Sequence, residues 1–161
     1  MKIYIVGTVG SGKSTLARKL SGKSSIDVFH LDSVVHDGER HRTDKEISES
    51  IECIFKNNNF IIEDTLREQF IPLLSKVDKI IYLDLPKTLL KYRVIKRYLK
   101  QKIGLEKSTY RPSLQMLRQM FILQKIDRSE LIKAQKKTII LKNQREIRQF
   151  IKKFSKIEKK E

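Results

Sequence analysis

The sequence predicts an α/β fold of three layers, in which a parallel sheet of five strands lies between two layers of helices. Two observations predict it. Short apolar runs rich in isoleucine and valine alternate with helical segments, and polar residues end these runs. Strands that alternate with helices favour a parallel sheet covered on both faces. A single domain over residues 1–161 is expected, because that length buries a core without disulfides.

The predicted strands are short, as buried parallel strands usually are. They cover residues 3–6, 26–31, 60–62, 77–85 and 137–141. Helices are predicted at residues 13–20, 72–74 (a short helix or turn), 88–102, 113–135 and 144–154. A further helix begins after Thr43, because Glu46 completes a capping box with it. Right-handed crossovers make such a sheet doubly wound, so ligands are expected at the carboxyl ends of its strands.

The loop between the first strand and the first helix has a complete phosphate-binding pattern. Residues 7–14 read Gly-Thr-Val-Gly-Ser-Gly-Lys-Ser, which is the P-loop motif in its required context. The glycines let backbone amides approach phosphate oxygens, and the helix adds its positive dipole end. Lys13 is expected to reach the β- and γ-phosphates of a nucleotide, and the Ser14 hydroxyl to bind Mg²⁺. The predicted nucleotide-binding residues of this loop are Gly7, Gly10, Ser11, Gly12, Lys13, Ser14 and Thr15.

The composition is that of a basic, soluble and globular protein. Lysine and arginine total 35 residues against 19 of aspartate and glutamate, which gives a formal net charge of +16. This charge favours polyanionic partners, but solvated surface lysines explain it equally well. No apolar run approaches the length of a membrane span, and no signal peptide is found. The single cysteine, Cys53, fits a reducing cytoplasm and is expected to be a buried, inert thiol.

The ends of the other predicted strands carry the polar residues Asp32, Glu63, Asp64, Asp84 and Asn143. Asp32 either accepts a proton from a substrate hydroxyl, or holds Mg²⁺ through water, or only caps a turn; its place at a strand end favours function. Adjacent carboxylates point in different directions, so only one of Glu63 and Asp64 is expected to face the site. Asp84 is either a Walker-B-like carboxylate near Mg²⁺ or a helix cap. The three histidines lack metal-ligand spacing, and the absence of a cysteine cluster excludes a zinc-bearing lid.

The middle of the chain carries a resemblance to known kinases. The segment Leu83-Asp84-Leu85-Pro86, with Arg93 and Arg97 after it, resembles the strand-to-helix segment of adenylate kinase and its relatives. Over nearly its whole length the chain resembles small bacterial P-loop proteins of the DNA topology modulation (FlaR-like) family, which are similar to adenylate kinases. The similar segments are residues 2–20, 30–32, 60–63, 80–97, 110–121 and 141–143. The chain departs from this family at Asp64, where relatives usually have glycine, and in having no tryptophan.

The resemblance implies a P-loop NTPase fold of the nucleoside-monophosphate-kinase type and an ATP-dependent phosphotransferase that uses Mg²⁺. In that family, arginines at the positions of Arg93 and Arg97 contact the ATP base and phosphates. Phosphoryl transfer needs mainly positioning and charge neutralisation, which Lys13, Mg²⁺ at Ser14 and these arginines would supply. ATP is favoured over GTP, because no base-specifying Asn-Lys-x-Asp segment is present. The partners implied are ATP and a small phosphorylated or hydroxyl acceptor.

The acceptor side of such a site is expected at an insertion of about residues 32–58 and at residues 63–67. Arg67 is expected to hold an acceptor phosphate. A lid-like segment is expected at about residues 100–113, where Arg111 either closes over the phosphates or lies on the surface. The sequence leaves the identity of the acceptor open.

A second function class competes with the kinase, namely a nucleic-acid-associated P-loop protein that affects DNA topology or its regulation. The family name and the net charge of +16 are compatible with it. However, the sequence has no helix-turn-helix, no basic-aromatic recognition motif and no second domain. The kinase is therefore the favoured function, with a nucleic acid as an alternative partner.

Overall fold

The computed structural model describes residues 1–38, 40–105, 113–122 and 128–157. In these ranges the strands are β1 (Lys2–Gly7), β2 (Val28–His30), β3 (His36–Asp37), β4 (Arg40–His41), β5 (Phe60–Asp64), β6 (Lys79–Leu83) and β7 (Thr138–Leu141). The helices are α1 (Lys13–Ser24), α2 (Leu31–Val35), α3 (Asp44–Phe55), α4 (Leu73–Lys76), α5 (Lys87–Lys102), α6 (Leu114–Ile122), α7 (Ser129–Lys133) and α8 (Gln144–Ile157). Two short 3-10 helices lie at Glu68–Phe70 and Gln135–Lys137.

The main sheet has five parallel strands in the order β2-β5-β1-β6-β7, which confirms the predicted fold class. β1 lies at its centre, where Val6 pairs with Asp64 on one side and with Tyr82 on the other. This order places the carboxyl ends of β5 and β6 on either side of the loop that follows β1. β3 and β4 form a separate antiparallel hairpin.

Both faces of the sheet are covered, because successive residues of each strand point to opposite sides. Tyr4, Val6 and Ile62 belong to the core on one face, which α2, α3, α4 and α7 complete. Ile3 and Ile5 belong to the core on the other face, which α1, α5 and α8 complete. The three layers expected from the sequence are therefore confirmed, and the loop after β1 opens at the carboxyl edge of the middle layer.

The chain after β2 differs from its prediction. A strand was expected over residues 26–31, but β2 ends at His30 and Leu31 begins a helix. Leu31, Val34 and Val35 have helical spacing, and all three are buried. Asp32 consequently lies in the first turn of α2 instead of at the end of a strand.

Two further expectations are corrected. The helix predicted over residues 113–135 is described as α6 and α7, with residues 123–127 outside the described ranges, and Gln135 lies in a 3-10 helix. Cys53 is exposed and not buried, because Ile47 and Ile54 turn another face of α3 towards the core.

Within the described ranges, no helix is both long enough and apolar enough to cross a membrane.

Candidate functional site

The loop between β1 and α1 has the conformation that its glycines allow. Gly10 and Gly12 have φ angles of +79° and +93°, in the left-handed region that other residues rarely adopt. A Cβ atom at Gly10 would lie 3.0 Å from Val94 Cγ2 and 3.2 Å from the carbonyl oxygen of Leu90, so α5 packs directly on the loop. α1 begins at Lys13 with Gly12 as its N-cap, which turns the first amides of the helix towards the loop. This arrangement suits an anion.

Ser11 and Thr8 line the buried side of the loop. The Ser11 amide donates a hydrogen bond to the carbonyl oxygen of Thr8 at 3.2 Å, which closes the turn. A Cβ atom at Gly7 would lie 2.6 Å from Ser11 Oγ and 3.1 Å from Leu83 Cβ, so a larger residue would displace the Ser11 side chain where β1 ends. The hydroxyl groups of Thr8 and Ser11 are buried and have no hydrogen-bond partner among the described residues.

Lys13 curls back across the loop. Its Nζ donates a hydrogen bond to the carbonyl oxygen of Thr8 at 3.2 Å. Burial lowers the pKa of this ammonium, while the carboxylates of Glu63 and Asp64 raise it and so partly oppose the effect of burial. The position places a cation inside the anion-binding loop, as the motif predicts. Thr15, the second residue after Lys13, is exposed on the first turn of α1.

The Ser14 hydroxyl is joined to the end of β5. It donates a hydrogen bond to Glu63 Oε1 at 2.8 Å, and Nδ1 of His30 lies 2.7 Å from the same oxygen. Glu63 is only 7% exposed, and its second oxygen, Oε2, is buried without a hydrogen-bond partner in the described part of the chain. Sequence reasoning missed the role of His30, whose register opposite Glu63 depends on the pairing of β2 with β5.

These groups fit a hard divalent cation. Serine hydroxyl and carboxylate oxygens are donors that Mg²⁺ accepts, usually beside water and phosphate, and among the described residues Oε2 of Glu63 has no other partner. The structure brings Glu63 to Ser14, where the sequence suggested Asp84 or Asp32. Asp84 Oδ1 instead accepts a hydrogen bond from Arg128 Nη2 at 2.7 Å. The carboxylate beside Ser14 therefore comes from β5, and not from the residue that follows β6.

Arg93 and Arg97 lie on one face of α5, four residues apart. Arg93 Nη1 donates to the carbonyl oxygens of Gly10 and Ser11, at 3.2 and 3.1 Å, and thereby ties α5 to the loop. Arg97 Nη2 lies 3.4 Å from Met120 Sδ of α6, and its charge contributes to the lowered pKa of Lys13. The two arginines that the sequence indicated therefore stand beside the loop on the β6 side.

Asp32, Asp64 and Arg67 form one cluster on the β5 side of the loop. The guanidinium of Arg67 pairs with both carboxylates through separate nitrogens, and its backbone N–H donates to Asp64 Oδ2 at 2.7 Å. Burial raises the pKa of Asp64, and Arg67 partly opposes this. Leu66 has a φ of +64°, so the chain turns sharply to bring Arg67 back over the end of β5. The proposed acceptor residues are thus together, but Arg67 is already paired.

One predicted nucleotide-binding residue has a different role in the structure. Asn143 Oδ1 accepts from the Glu146 amide at 3.0 Å, and its Nδ2 donates to Glu146 Oε1, so this side chain caps α8. We therefore leave Asn143 out of the nucleotide site. Arg111, and with it residues 106–112 of the lid-like segment, lies outside the described residues.

Comparisons with known proteins agree with this architecture. A family model described as an AAA domain matches residues 3–111, which include the loop, the β5 carboxylates and the arginines of α5. No curated protein matches the chain.

Several solved structures share the fold. A shikimate kinase from Acinetobacter baumannii in complex with shikimate aligns with a TM-score of 0.62 at 15% identity, over 99% of this chain and 93% of that chain. A shikimate kinase from Aquifex aeolicus aligns with a TM-score of 0.57 at 16% identity, over 99% and 96%. An unliganded sugar kinase from Janibacter sp. HTCC2649 aligns with a TM-score of 0.55 at 16% identity, over 98% and 91%. At these identities the likeness shows a common fold.

Proposed function

The chain belongs to the AAA domain family, and we propose that it is an ATP-dependent phosphotransferase of the kinase type that uses Mg²⁺. One observation carries the proposal: the loop at the start of α1 brings a half-buried lysine close to a serine hydroxyl that is hydrogen-bonded to the Glu63 carboxylate. Lysine, hydroxyl and carboxylate at one helix N-terminus are the parts that phosphoryl transfer from a nucleotide requires. The structures that share the fold are named as kinases, which supports the same reaction class here.

Each part has a distinct task in the proposed site. The loop amides and Lys13 bind the β- and γ-phosphates and neutralise charge that moves to the leaving oxygen. The Ser14 hydroxyl and the Glu63 carboxylate would hold Mg²⁺, which when bound supplies further positive charge to the phosphates. Arg97 adds a cation on the β6 side, and Arg93 keeps the loop in its binding conformation through the Gly10 and Ser11 carbonyls.

Asp32 is the proposed proton acceptor for the substrate hydroxyl. Its side chain is 74% exposed and lies in the first turn of α2, directly after β2 and on the same side of the loop as Glu63. This role rests on position, because groups just beyond the carboxyl ends of the strands face the ligand crevice in this fold. The finer family assignment, to adenylate-kinase-like proteins of the DNA topology modulation type, rests on the sequence resemblance only.

The central experiment replaces Lys13 with alanine. We expect purified wild-type protein with ATP and Mg²⁺ to convert at least one acceptor from a panel of nucleosides, nucleoside monophosphates, sugars and polyols, with formation of ADP. Lys13→Ala should lower this rate by roughly a hundredfold or more, because a preorganised cation is lost where charge develops. ATP affinity, measured by calorimetry, should fall as well.

The matched control is Lys19→Ala, which removes an exposed lysine from the same helix. Its rate and ATP affinity should equal those of the wild type. That result would show that the effect of Lys13→Ala comes from the position of Lys13 and not simply from the loss of a positive charge. Equal activity of the Lys13→Ala and Lys19→Ala variants would overturn the assigned role. Failure of the wild type to phosphorylate any acceptor while binding ATP would count against the kinase itself.

A further inference from the structure

The two flanks of the candidate site carry opposite charge. On the β6 side stand the cations of Arg93 and Arg97, with Lys13 in the loop between the flanks. On the β5 side stand Asp32 and Asp64 with the guanidinium of Arg67 between them. The donor flank is therefore basic, whereas this cluster on the opposite flank has one more carboxylate than guanidinium even when Glu63 is assigned to the metal. We propose, on the basis of the proposed function, that the phosphate acceptor is a hydroxyl compound that carries no phosphate group.

Arg67 is the decisive residue, because a phosphate-bearing acceptor needs a guanidinium that is available. The Arg67 side chain is held between Asp64, which is almost fully buried, and Asp32, with one terminal nitrogen on each carboxylate. Its backbone N–H is also used, since it donates to Asp64 Oδ2 at 2.7 Å. A phosphate dianion at this place would have to displace Asp32 from Arg67 and then lie beside a repelled carboxylate.

The other arginines of residues 31–67 are also engaged. Arg40 Nη2 donates to Glu46 Oε1 at 2.8 Å. Arg42 Nη1 donates to the carbonyl oxygen of Ser33 at 2.8 Å, and its Nη2 lies 3.6 Å from Asp37. Each arginine of this segment thus has a carboxylate or carbonyl partner, so the flank has the chemistry to accept hydrogen bonds from hydroxyl groups rather than to bind a second phosphate.

Asp32 makes the flank suitable for a hydroxyl substrate. One of its oxygens pairs with Arg67, which fixes the carboxylate, and the side chain stays 74% exposed. In the proposed step the substrate hydroxyl oxygen forms a bond to the γ-phosphorus, and the bond from that phosphorus to the β–γ bridging oxygen breaks. The electron pair leaves with ADP, and the hydroxyl proton passes to the Asp32 carboxylate.

The test compares matched pairs of compounds that differ only in a phosphate group. Adenosine and AMP, ribose and ribose 5-phosphate, and glycerol and glycerol 3-phosphate are measured in two ways. The first is turnover with ATP and Mg²⁺; the second is calorimetric binding in the presence of saturating β,γ-imido ATP and Mg²⁺, which fills the donor site. The inference expects the phosphate-free member of a pair to give the higher kcat/KM or the tighter binding, by tenfold or more.

The outcomes separate this inference from the proposed function. A preference for the phosphorylated members in turnover or in binding overturns the inference and leaves the kinase standing. Binding of phosphate-free members without any turnover counts against the kinase and supports the inference. If no member of any pair binds or reacts, the inference is overturned.

Asp32→Asn gives the reciprocal test. Loss of this carboxylate should lower kcat/KM for the phosphate-free acceptor by at least tenfold, and it should strengthen binding of the phosphorylated partner, because Arg67 loses one of its two anions. Asp27→Asn is the control, since Asp27 is exposed and precedes β2 at the opposite edge of the sheet. A merely structural role for Asp32 would weaken both members of a pair equally, which would contradict the proposal.

Discussion

Tyr4 is the most deeply buried polar side chain on the central strand. It is fully inaccessible, and its hydroxyl has no hydrogen-bond partner among the described residues. Burial raises the pKa of Tyr4 well above its usual value, and the Asp64 carboxylate raises it further. A buried donor without a partner costs stability, so this hydroxyl weakens the fold at the base of the acceptor flank.

Tyr4→Phe is therefore expected to keep or raise stability at pH 7, by up to about 1 kcal/mol in the free energy of unfolding. The variant should also resist alkali better. In the unfolded chain Tyr4 loses its proton above about pH 10, whereas the folded chain keeps it, so the unfolded state binds fewer protons and wild-type stability falls as the pH rises through this window. Urea denaturation at pH 7 and 10.5 measures both effects.

The control for this prediction is Tyr92→Phe, because Tyr92 is 59% exposed on α5. Loss of the Tyr92 hydroxyl should not change the decrease in the free energy of unfolding that the wild type shows between pH 7 and 10.5. A Tyr4→Phe variant that loses more than 1 kcal/mol at pH 7 would show that the hydroxyl has a partner that stabilises the fold.

Single residues also show where sequence reasoning succeeds. Lys13 and Ser14 follow from the motif, because a P-loop is a local pattern of eight residues. The partnership of Ser14 with Glu63 joins residues far apart in sequence, and it depends on β5 lying next to β1. Arg67 was expected to be available for a phosphate, and only the structure shows it paired with Asp32 and Asp64.

Among the elements, α3 is the one whose start the sequence predicts most closely. Thr43 is its N-cap, and the Glu46 carboxylate accepts from the Thr43 amide at 2.8 Å, which completes the predicted capping box. This hydrogen bond, together with the guanidinium of Arg40, lowers the pKa of Glu46 to about 2. The ionised carboxylate therefore stabilises the first turn of α3.

Glu46→Gln is expected to lower the thermal stability at neutral pH, because the ionised cap and its pair with Arg40 are lost. The pKa of Glu46 is depressed in the folded chain, so its contribution is complete above the unfolded value near 4.5 and disappears as the pH falls towards 2. The difference in melting temperature between wild type and variant should consequently shrink below pH 4.5. Glu49→Gln, an exposed carboxylate on the same helix, serves as control, and a difference that stays constant down to pH 3 would contradict the prediction.

The segment between β2 and α3 contains elements that the sequence patterns do not predict. The apolar run at residues 26–31 predicts one strand. However, Leu31, the last residue of the run, also has helical spacing with Val34 and Val35, and these three residues belong to α2. The hairpin of β3 and β4 turns at Gly38, which has a φ of +62°. Its strands are two residues long each, too short for any periodicity to be visible in the sequence.

At the scale of the molecule, alternation of strands and helices predicts the layers but not the strand order. The order β2-β5-β1-β6-β7 decides which side chains share the site, and it comes from packing between segments that are distant along the chain. The basic and acidic flanks follow from that order, because the arginines of α5 lie on one side of β1, and the carboxylates just after β2 and at the end of β5 lie on the other. The site is thus a property of the sheet more than of any one motif.

The net charge of +16 leads to the last prediction, which concerns nucleic acids. If the excess of lysine and arginine is solvated surface, duplex DNA should bind weakly, without sequence preference, and with log K falling linearly against log salt by about 0.9 per phosphate contacted. Binding measured by fluorescence anisotropy at 50 mM salt should largely disappear at 200 mM. It should also be equal for unrelated sequences.

The same titration distinguishes the two function classes, because the proposed kinase site and a DNA-binding surface respond differently to one variant. Lys13→Ala removes a single half-buried charge inside the loop, so it should lower phosphoryl transfer by roughly a hundredfold or more and leave the salt dependence of DNA binding unchanged. DNA binding that persists at 200 mM salt and prefers one sequence would favour the nucleic-acid alternative, since non-specific attraction alone gives neither property. Weak binding that disappears at 200 mM salt would instead mean that the positive surface attracts DNA only through non-specific electrostatics. The function would then lie in phosphoryl transfer at the loop after β1.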